Sequence, residues 1–455
     1  MKTRTIIRAK ALWDGTGAAP VRDAAVVIEG ERIMYAGPYE GLPPRSAGEA
    51  SAADQVIDLP DTTLLPGFMD LHLHLADDGW TPLRLLANGI TTVRDTGNNP
   101  RALGQLRARQ QQGQWYGPRI HTFGPLIDGP KPHWPHIARG IAEGEHVEMV
   151  VDEIVALGVD GLKTYVHLTP DRVGRVVARA REHGLLVACH CGACMAREAV
   201  NLGARCIEHV WSLDVREEAQ SWHDLDVGSS RVQEVIETFR AKEAWFCPTL
   251  AVMKAGELGW GTGFEEFPGY EQHPAQVRAW VSGLIDCSTW DDARFAAIRE
   301  GFHRMQELVA AFHEAGVPML AGSDSPFVPV GLGLHYEFEL LAEAGLSSTT
   351  ILRMATSDSA RFLHVADELG TLQAGKLADV VAVRGNPLAD VRATRKVVAV
   401  WQGGHMFDPA ELHARADAAV AMLPSVLPED MPPPFGVGQG SEKVNGHEGG
   451  RGTAG

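Results

Sequence analysis

The sequence predicts an α/β protein: a (β/α)8 TIM barrel with a small β-sandwich domain built from both chain ends. Three observations predict it. Eight apolar, strand-like runs alternate with helical patterns through the middle of the chain, the mark of a parallel sheet with crossover helices. Short alternating strands with Gly, Asp and Pro turns fill residues 1–65, and that texture returns only near the end. Candidate polar side chains stand near the C-terminal ends of five of the eight runs, where barrels of this kind carry their active sites.

In order, the first unit reads as "TRTIIRAKALWDG", "DAAVVIEGERIMYAG" and "QVIDLPDTTLLPG". The eight runs are "FMDLHLHL", "TTVRDTG", "RIHTFGP", "GLKTYVH", "LLVACHC", "RCIEHVW", "AWFCPTL" and "PMLAGSDS". Amphipathic stretches such as "PDRVGRVVARAREHG" and "MAREAVNLGA" lie between them. Strands return in "GTLQAGKLADVVAVRGNPLADV" and "RKVVAVWQGGHMF". The expected segments are 1–65 and 365–415 for the two parts of the sandwich, 66–364 for the barrel, and a Pro/Gly-rich tail over 416–455. The tail reads as mostly disordered, with wrapping of a neighbouring subunit as the other reading.

At 455 residues the chain is too long for one compact core. A hydrophobic content of 45% with 22% charged residues is ordinary for a globular protein. The net charge of −17 argues against nucleic acid or an anionic membrane as a partner. The expected partner is a small-molecule substrate, and a homo-oligomer is the expected assembly. "MKTRTIIRAKALWDG" lacks the apolar centre of a signal peptide, and no run is long enough to span a membrane, so a cytoplasmic location is expected. The six cysteines read as reduced thiols. Cys189, Cys191 and Cys194 cluster, but the second CxxC half of a zinc knuckle is missing.

The first run carries two histidines at positions i and i+2. His72 and His74 therefore project from one strand face, with Asp70 beside them. Alone, this is either an ordinary polar face or a metal chelate. Further candidates follow on later strands: Lys163 on the fourth, His190 on the fifth, His209 on the sixth and Asp324 on the eighth. An ammonium cannot ligate a cation. Burial near two cations favours the neutral amine, however, and that amine can add carbon dioxide to become a bridging carbamate. Asp324 also reads as a helix N-cap in "SDSP".

Together with "LLPGFMDLHLH", "GITTVRDTG", "TSDSARFL" and "GTLQAGKLADVVAV", this set resembles the binuclear metal-dependent amidohydrolase superfamily with a carbamylated lysine. The resemblance covers roughly residues 1–410. It is closest to the prolidase-like and X-Arg carboxypeptidase-like members and is similar to the molinate and phenylurea hydrolases. It implies two divalent metal ions, with zinc the default and manganese, cobalt and iron able to use similar ligands. By resemblance, His72, His74 and Asp324 hold the more buried ion, His190 and His209 the more exposed one, and carbamylated Lys163 bridges both. The chain departs from the branch at His190-Cys191-Gly192, where prolidase-like members carry His-Ala-His-Gly. Ala193 stands where mononuclear deaminases of the superfamily place a glutamate, which argues against a deaminase.

The expected chemistry is attack of a metal-bridging hydroxide on an amide-type carbonyl. The oxyanion needs a cation or donors; His133 in "DGPKPHWPH" is a candidate, with His136 its competitor. Asp324 is the expected catalytic base that passes a proton to the leaving nitrogen. Tyr165, two residues beyond Lys163, faces the same way as a substrate contact or a packing residue. Trp211, Trp222, Trp245, Trp260, Trp280 and Trp290 either line an apolar pocket or anchor the segment that holds them. The predicted function is hydrolysis of a C–N bond in a dipeptide or N-acyl amino acid, or in an apolar amide, urea or carbamate. A cyclic amide or lactone hydrolase of the imidazolonepropionase kind and a catalytically silent binding barrel are the alternatives.

Overall fold

The computed structural model describes residues 4–44, 54–76, 78–216, 220–257, 267–283, 287 and 289–423. The chain opens with β1 (Arg4–Leu12), β2 (Val21–Glu29), β3 (Arg32–Pro38) and β4 (Gln55–Pro66). The middle carries β5 (Phe68–Leu73), β6 (Ile90–Asp95), β7 (Arg119–Thr122), β8 (Leu126–Asp128) and β9 (Ala138–Gly140). It continues with β10 (Gly161–Thr164), β11 (Leu186–Cys189), β12 (Cys206–Glu208) and β13 (Trp245–Cys247). Then come β14 (Val380–Arg384), β15 (Val397–Gln402) and β16 (His405–Phe407).

Both terminal segments join in one seven-stranded sheet of order β16-β15-β14-β4-β1-β2-β3. β4 runs parallel to β1 and antiparallel to β14, with Thr62 opposite Arg384 and Pro66 opposite Val380. The expected two-layer sandwich is thus a single hydrogen-bonded mixed sheet. Alternation puts Ile7, Ala9, Val26 and Ile28 on one face, where they pack with Leu64, Val380, Ala382 and Trp401. The helix Pro409–Ala421 crosses the expected boundary at 415; the Asp408 side chain caps it by accepting from the Ala410 N–H. It is pinned to the helix Thr81–Ala87 through Arg84, which reaches His413 Nδ1 at 2.7 Å and pairs with Asp417. The rest of the tail, and Trp260, lie outside the described residues.

The middle strands form two parallel sheets, β5-β6-β7 and β13-β12-β11-β10-β8-β9. The Asp160 N–H reaches the Thr122 carbonyl at 2.8 Å and links the segment before β10 to β7. On the other side the eighth predicted run connects β13 to β5. Leu320 N–H donates to Phe246 O at 2.9 Å, Leu71 N–H to Ala321 O at 2.9 Å, and Asp324 N–H to His72 O at 2.7 Å. This approach needs glycine at 322, because a Cβ there would sit 2.5 Å from His72 Cβ and 2.8 Å from Cys247 Sγ. The predicted helix around 170–182 is present as Pro170–Glu182. It buries Val173, Val176, Val177 and Ala180, the i, i+3, i+4, i+7 stripe of an amphipathic helix. No described helix is long and apolar enough to cross a membrane.

Candidate metal centre

Alternation along β5 carries His72 into the interior, and His74 follows just past its end. Their Nδ1 atoms are already engaged. His74 Nδ1 lies 2.9 Å from the Gly97 carbonyl, which can only accept, so Nδ1 carries the hydrogen. His72 Nδ1 lies 2.6 Å from Glu208 Oε2. Both Nε2 atoms therefore carry the ring lone pair, and each stands 3.5 Å from Oδ1 of Asp324. Burial keeps the imidazoles neutral: His72 is pushed down to about 3 and His74 to about 4. Asp324 Oδ1 has no hydrogen-bond partner among the described residues, and burial pushes its carboxyl up to about 7. Three lone-pair donors thus face one another beyond hydrogen-bond range, an arrangement that a cation between them satisfies. The donor set fits a metal ion.

His209 extends this group. Ligand atoms of His72, His209 and Asp324 lie within 4.8 Å of one another. The His209 ring is 4.5 Å from the rings of both His72 and His190. Its Nδ1 is 2.7 Å from Thr249 Oγ1. Trp211 contacts both outer histidines: its ring stacks on His209 at 4.4 Å and 10°, and its N–H donates at 3.2 Å to His190 Nε2, the lone pair for which a bound ion would compete. Lys163, paired in β10 between β8 and β11, is 1% exposed and its Nζ has no partner among the described residues. Burial pulls the Lys163 pKa down, against the attraction of Glu208. A buried amine without a partner is the state that carbamylation would relieve.

Three residues here hold left-handed backbone: His209 at φ 67°, Asp324 at φ 60° and Thr249 at φ 49°. Such conformations cost about 1–3 kcal/mol each outside glycine, and they cluster where side chains must be aimed against the strand pattern. Asp324 is buried against the histidines rather than capping a helix.

Sequence reading missed Glu208 and Arg94. Arg94 Nη2–H donates to Glu208 Oε1 at 2.7 Å, and both side chains are fully buried. Burial alone would raise the Glu208 carboxyl, but Arg94, Lys163 and His72 hold it well below the usual range. The available signal was a glutamate directly preceding a candidate ligand. Asp70 serves the same region, accepting from the His72 N–H at 3.2 Å and the Ser323 N–H at 3.0 Å.

Around the mouth, Tyr165 lies 4.6 Å from His190, ring to ring, and its hydroxyl accepts from the Trp134 N–H at 3.0 Å. The His133 ring is 6.1 Å from Tyr165, while its backbone N–H donates to Asp128 Oδ2 at 2.8 Å. His136 is exposed. His167, also missed, shares that support: its backbone N–H donates to Asp128 Oδ1 at 2.8 Å and its ring is 6.1 Å from His133. The tryptophans divide. Trp280 packs 5.3 Å from Phe327, which is 6.1 Å from His74. Trp245 packs on Phe362, Trp222 lies under Arg216 and Trp290 lies against Phe295. Cys189, Cys191 and Cys194 are buried free thiols, the first two 3.7 Å apart.

Ochratoxinase of Aspergillus niger is 21% identical over 473 aligned residues, covering 89% of this chain and 86% of its own length. Among solved structures, a Xaa-Pro dipeptidase with bound methionine superposes with a TM-score of 0.67 at 22% identity, covering 89% of this chain and 100% of that one. Molinate hydrolase superposes with a TM-score of 0.67 at 21% identity, covering 94% and 99%. These neighbours match the branch that the sequence resembles, and at such identities their likeness shows the fold, a TIM barrel. A profile of the Amidohydrolase family matches residues 63–406, well over half of the chain. The chain therefore belongs to the Amidohydrolase family and is a hydrolase acting on carbon–nitrogen bonds.

Proposed function

We propose that this chain is a binuclear amidohydrolase that cleaves an amide-type C–N bond in a small substrate with an apolar or aromatic group. One observation carries the reading: the Nε2 atoms of His72 and His74 converge on Asp324 Oδ1 at 3.5 Å, and Lys163, whose Nζ has no partner among the described residues, is buried in the same interior. In this reading His72, His74 and Asp324 hold the inner ion, His190 and His209 the outer one, and carbamylated Lys163 both. Zinc is the default occupant of such a His-rich set. In this reading the eighth run, hydrogen-bonded to β13 and to β5, completes a barrel, and the hydrolase unit spans about residues 66–364.

When bound, the two ions supply a water activated at neutral pH and a Lewis acid for the carbonyl. Asp324 takes the proton of the attacking water on its carboxylate and delivers it to the leaving nitrogen. Tyr165 donates its hydroxyl hydrogen to the developing oxyanion, since its oxygen already accepts from Trp134. His133 stands on the same side of the mouth and polarises the scissile carbonyl. Half-buried Trp134, Trp211, Trp280 and Phe327 form apolar walls that exclude water and favour aromatic or aliphatic groups.

The test is metal analysis of natively purified protein, followed by a substrate panel with defined metal content and added bicarbonate. The panel holds dipeptides, N-acyl amino acids, anilides, carbamates, ureas and lactones. Two ions per chain with turnover of an apolar amide, urea or carbamate supports the reading. Less than one ion per chain overturns it, and turnover of lactones alone transfers the assignment to ring hydrolysis.

A further inference from the structure

We infer that Glu208 is a positioning residue for the metal centre, holding His72 with Nδ1–H turned inward and Nε2 turned toward Asp324. The inference rests on the binuclear reading above and adds a residue that this reading does not use. Each Glu208 oxygen has its own donor: Oε1 receives Arg94 Nη2–H at 2.7 Å and Oε2 receives His72 Nδ1–H at 2.6 Å. Arg94 is fixed in turn, because its Nε–H donates to the Leu71 carbonyl on β5, the strand that carries His72. Arg94, Glu208 and His72 therefore form a closed buried loop that leaves the imidazole little freedom to rotate.

The backbone explains how Glu208 reaches this place. Glu208 and His209 are neighbours on one strand and would ordinarily point to opposite faces. The left-handed turn at His209 breaks the alternation, so both side chains meet His72. Cys247 Sγ also lies within 4.8 Å of His72 and Glu208 ligand atoms. That trio is not a further metal site, since Arg94 and His72 already occupy the two carboxylate oxygens.

The two histidines of β5 are supported unequally. His74 leans on a backbone carbonyl, Gly97, whereas His72 leans on a carboxylate that is itself paired with Arg94. A carboxylate behind a ligand imidazole fixes its orientation and makes its free nitrogen a stronger donor. Loss of such support typically weakens metal binding about 10- to 100-fold.

The experiment titrates apo-protein with cobalt(II) alone and records affinity and the visible absorption bands, which report ligand geometry. Glu208→Gln removes the charge. Glu208→Asp keeps the charge facing Arg94 but withdraws it from His72, so the fold is retained. Both variants are expected to bind the tighter equivalent about 10- to 100-fold more weakly with shifted bands, while their far-ultraviolet circular dichroism stays that of the wild type. Wild-type affinity and bands in Glu208→Asp would overturn the inference. So would loss of the apo fold in both variants, which would make Glu208 a structural residue only. Failure of the wild type to bind cobalt would instead sink the binuclear reading itself.

Discussion

His72 Nε2 stands 3.5 Å from Asp324 Oδ1, while the other nitrogen of the same ring, Nδ1, is held by Glu208 at 2.6 Å. The two side chains belong to strand segments that join directly, through the Asp324 N–H on the His72 carbonyl. Asp324→Asn keeps the shape and removes the charge. It is expected to lower kcat by at least about 100-fold and to leave less than two ions per chain. Elemental analysis and turnover on the active panel substrate measure both.

Lys163→Ala is expected to abolish turnover and bridging of the ions. Because the proposed carbamate is in effect a long carboxylate, acetate or propionate added to Lys163→Ala should restore part of the activity. Wild-type protein prepared without carbon dioxide should gain activity on addition of bicarbonate. Lack of both rescue and bicarbonate response would speak against carbamylation.

Trp211 touches both outer histidines, by its face and by its N–H. Trp211→Ala is expected to weaken the second equivalent of metal about tenfold, with Trp211→Phe milder because it keeps the stack on His209. Two-step calorimetric titration separates the equivalents.

Tyr165→Phe removes a hydroxyl whose oxygen already receives the Trp134 N–H. The expected signature is a fall in kcat of about 10²-fold with KM nearly unchanged, as for loss of an oxyanion donor. Trp134→Phe should show the same signature more weakly.

Glu337 lies on the helix Leu332–Glu343, fully buried, with Oε2 accepting from the Ala251 N–H at 2.7 Å and Oε1 unpartnered among the described residues. Burial pushes its carboxyl up to about 8 from an ordinary 4.5. The folded state thus keeps a proton that the unfolded state releases. Its contribution is fully present below pH 4.5 and is lost as pH rises toward 8. Glu337→Gln should flatten this stretch and stabilise the protein at pH 8 by on the order of a few kcal/mol. Denaturant unfolding at pH 5 and pH 8 checks it.

The candidate ligands were legible because a strand's period of two places His72 and His74 together, and because barrel sites gather at strand ends. Glu208 was illegible for the same reason: the period assigns it to the face opposite His209, and only the left-handed backbone at His209 reverses that. The eighth segment was found from its apolar run, although it contributes isolated bridges rather than a ladder, bent as it is at Gly322 and Asp324. Trp211 and Trp280 were grouped with Trp222 and Trp290 by composition alone. Which of them reach the site depends on loop paths that no local pattern encodes.

The place of β4 between β1 and β14 has a consequence for biosynthesis. When Gln55–Pro66 leaves the ribosome, one side finds β1 at once, but the partner for Thr62–Pro66 is not yet translated. That edge stays open until Val380–Arg384 emerges, through the whole synthesis of the catalytic segment. The nascent protein therefore completes its fold only after that late strand arrives, and it carries an exposed strand edge, a target for chaperones or self-association, until then.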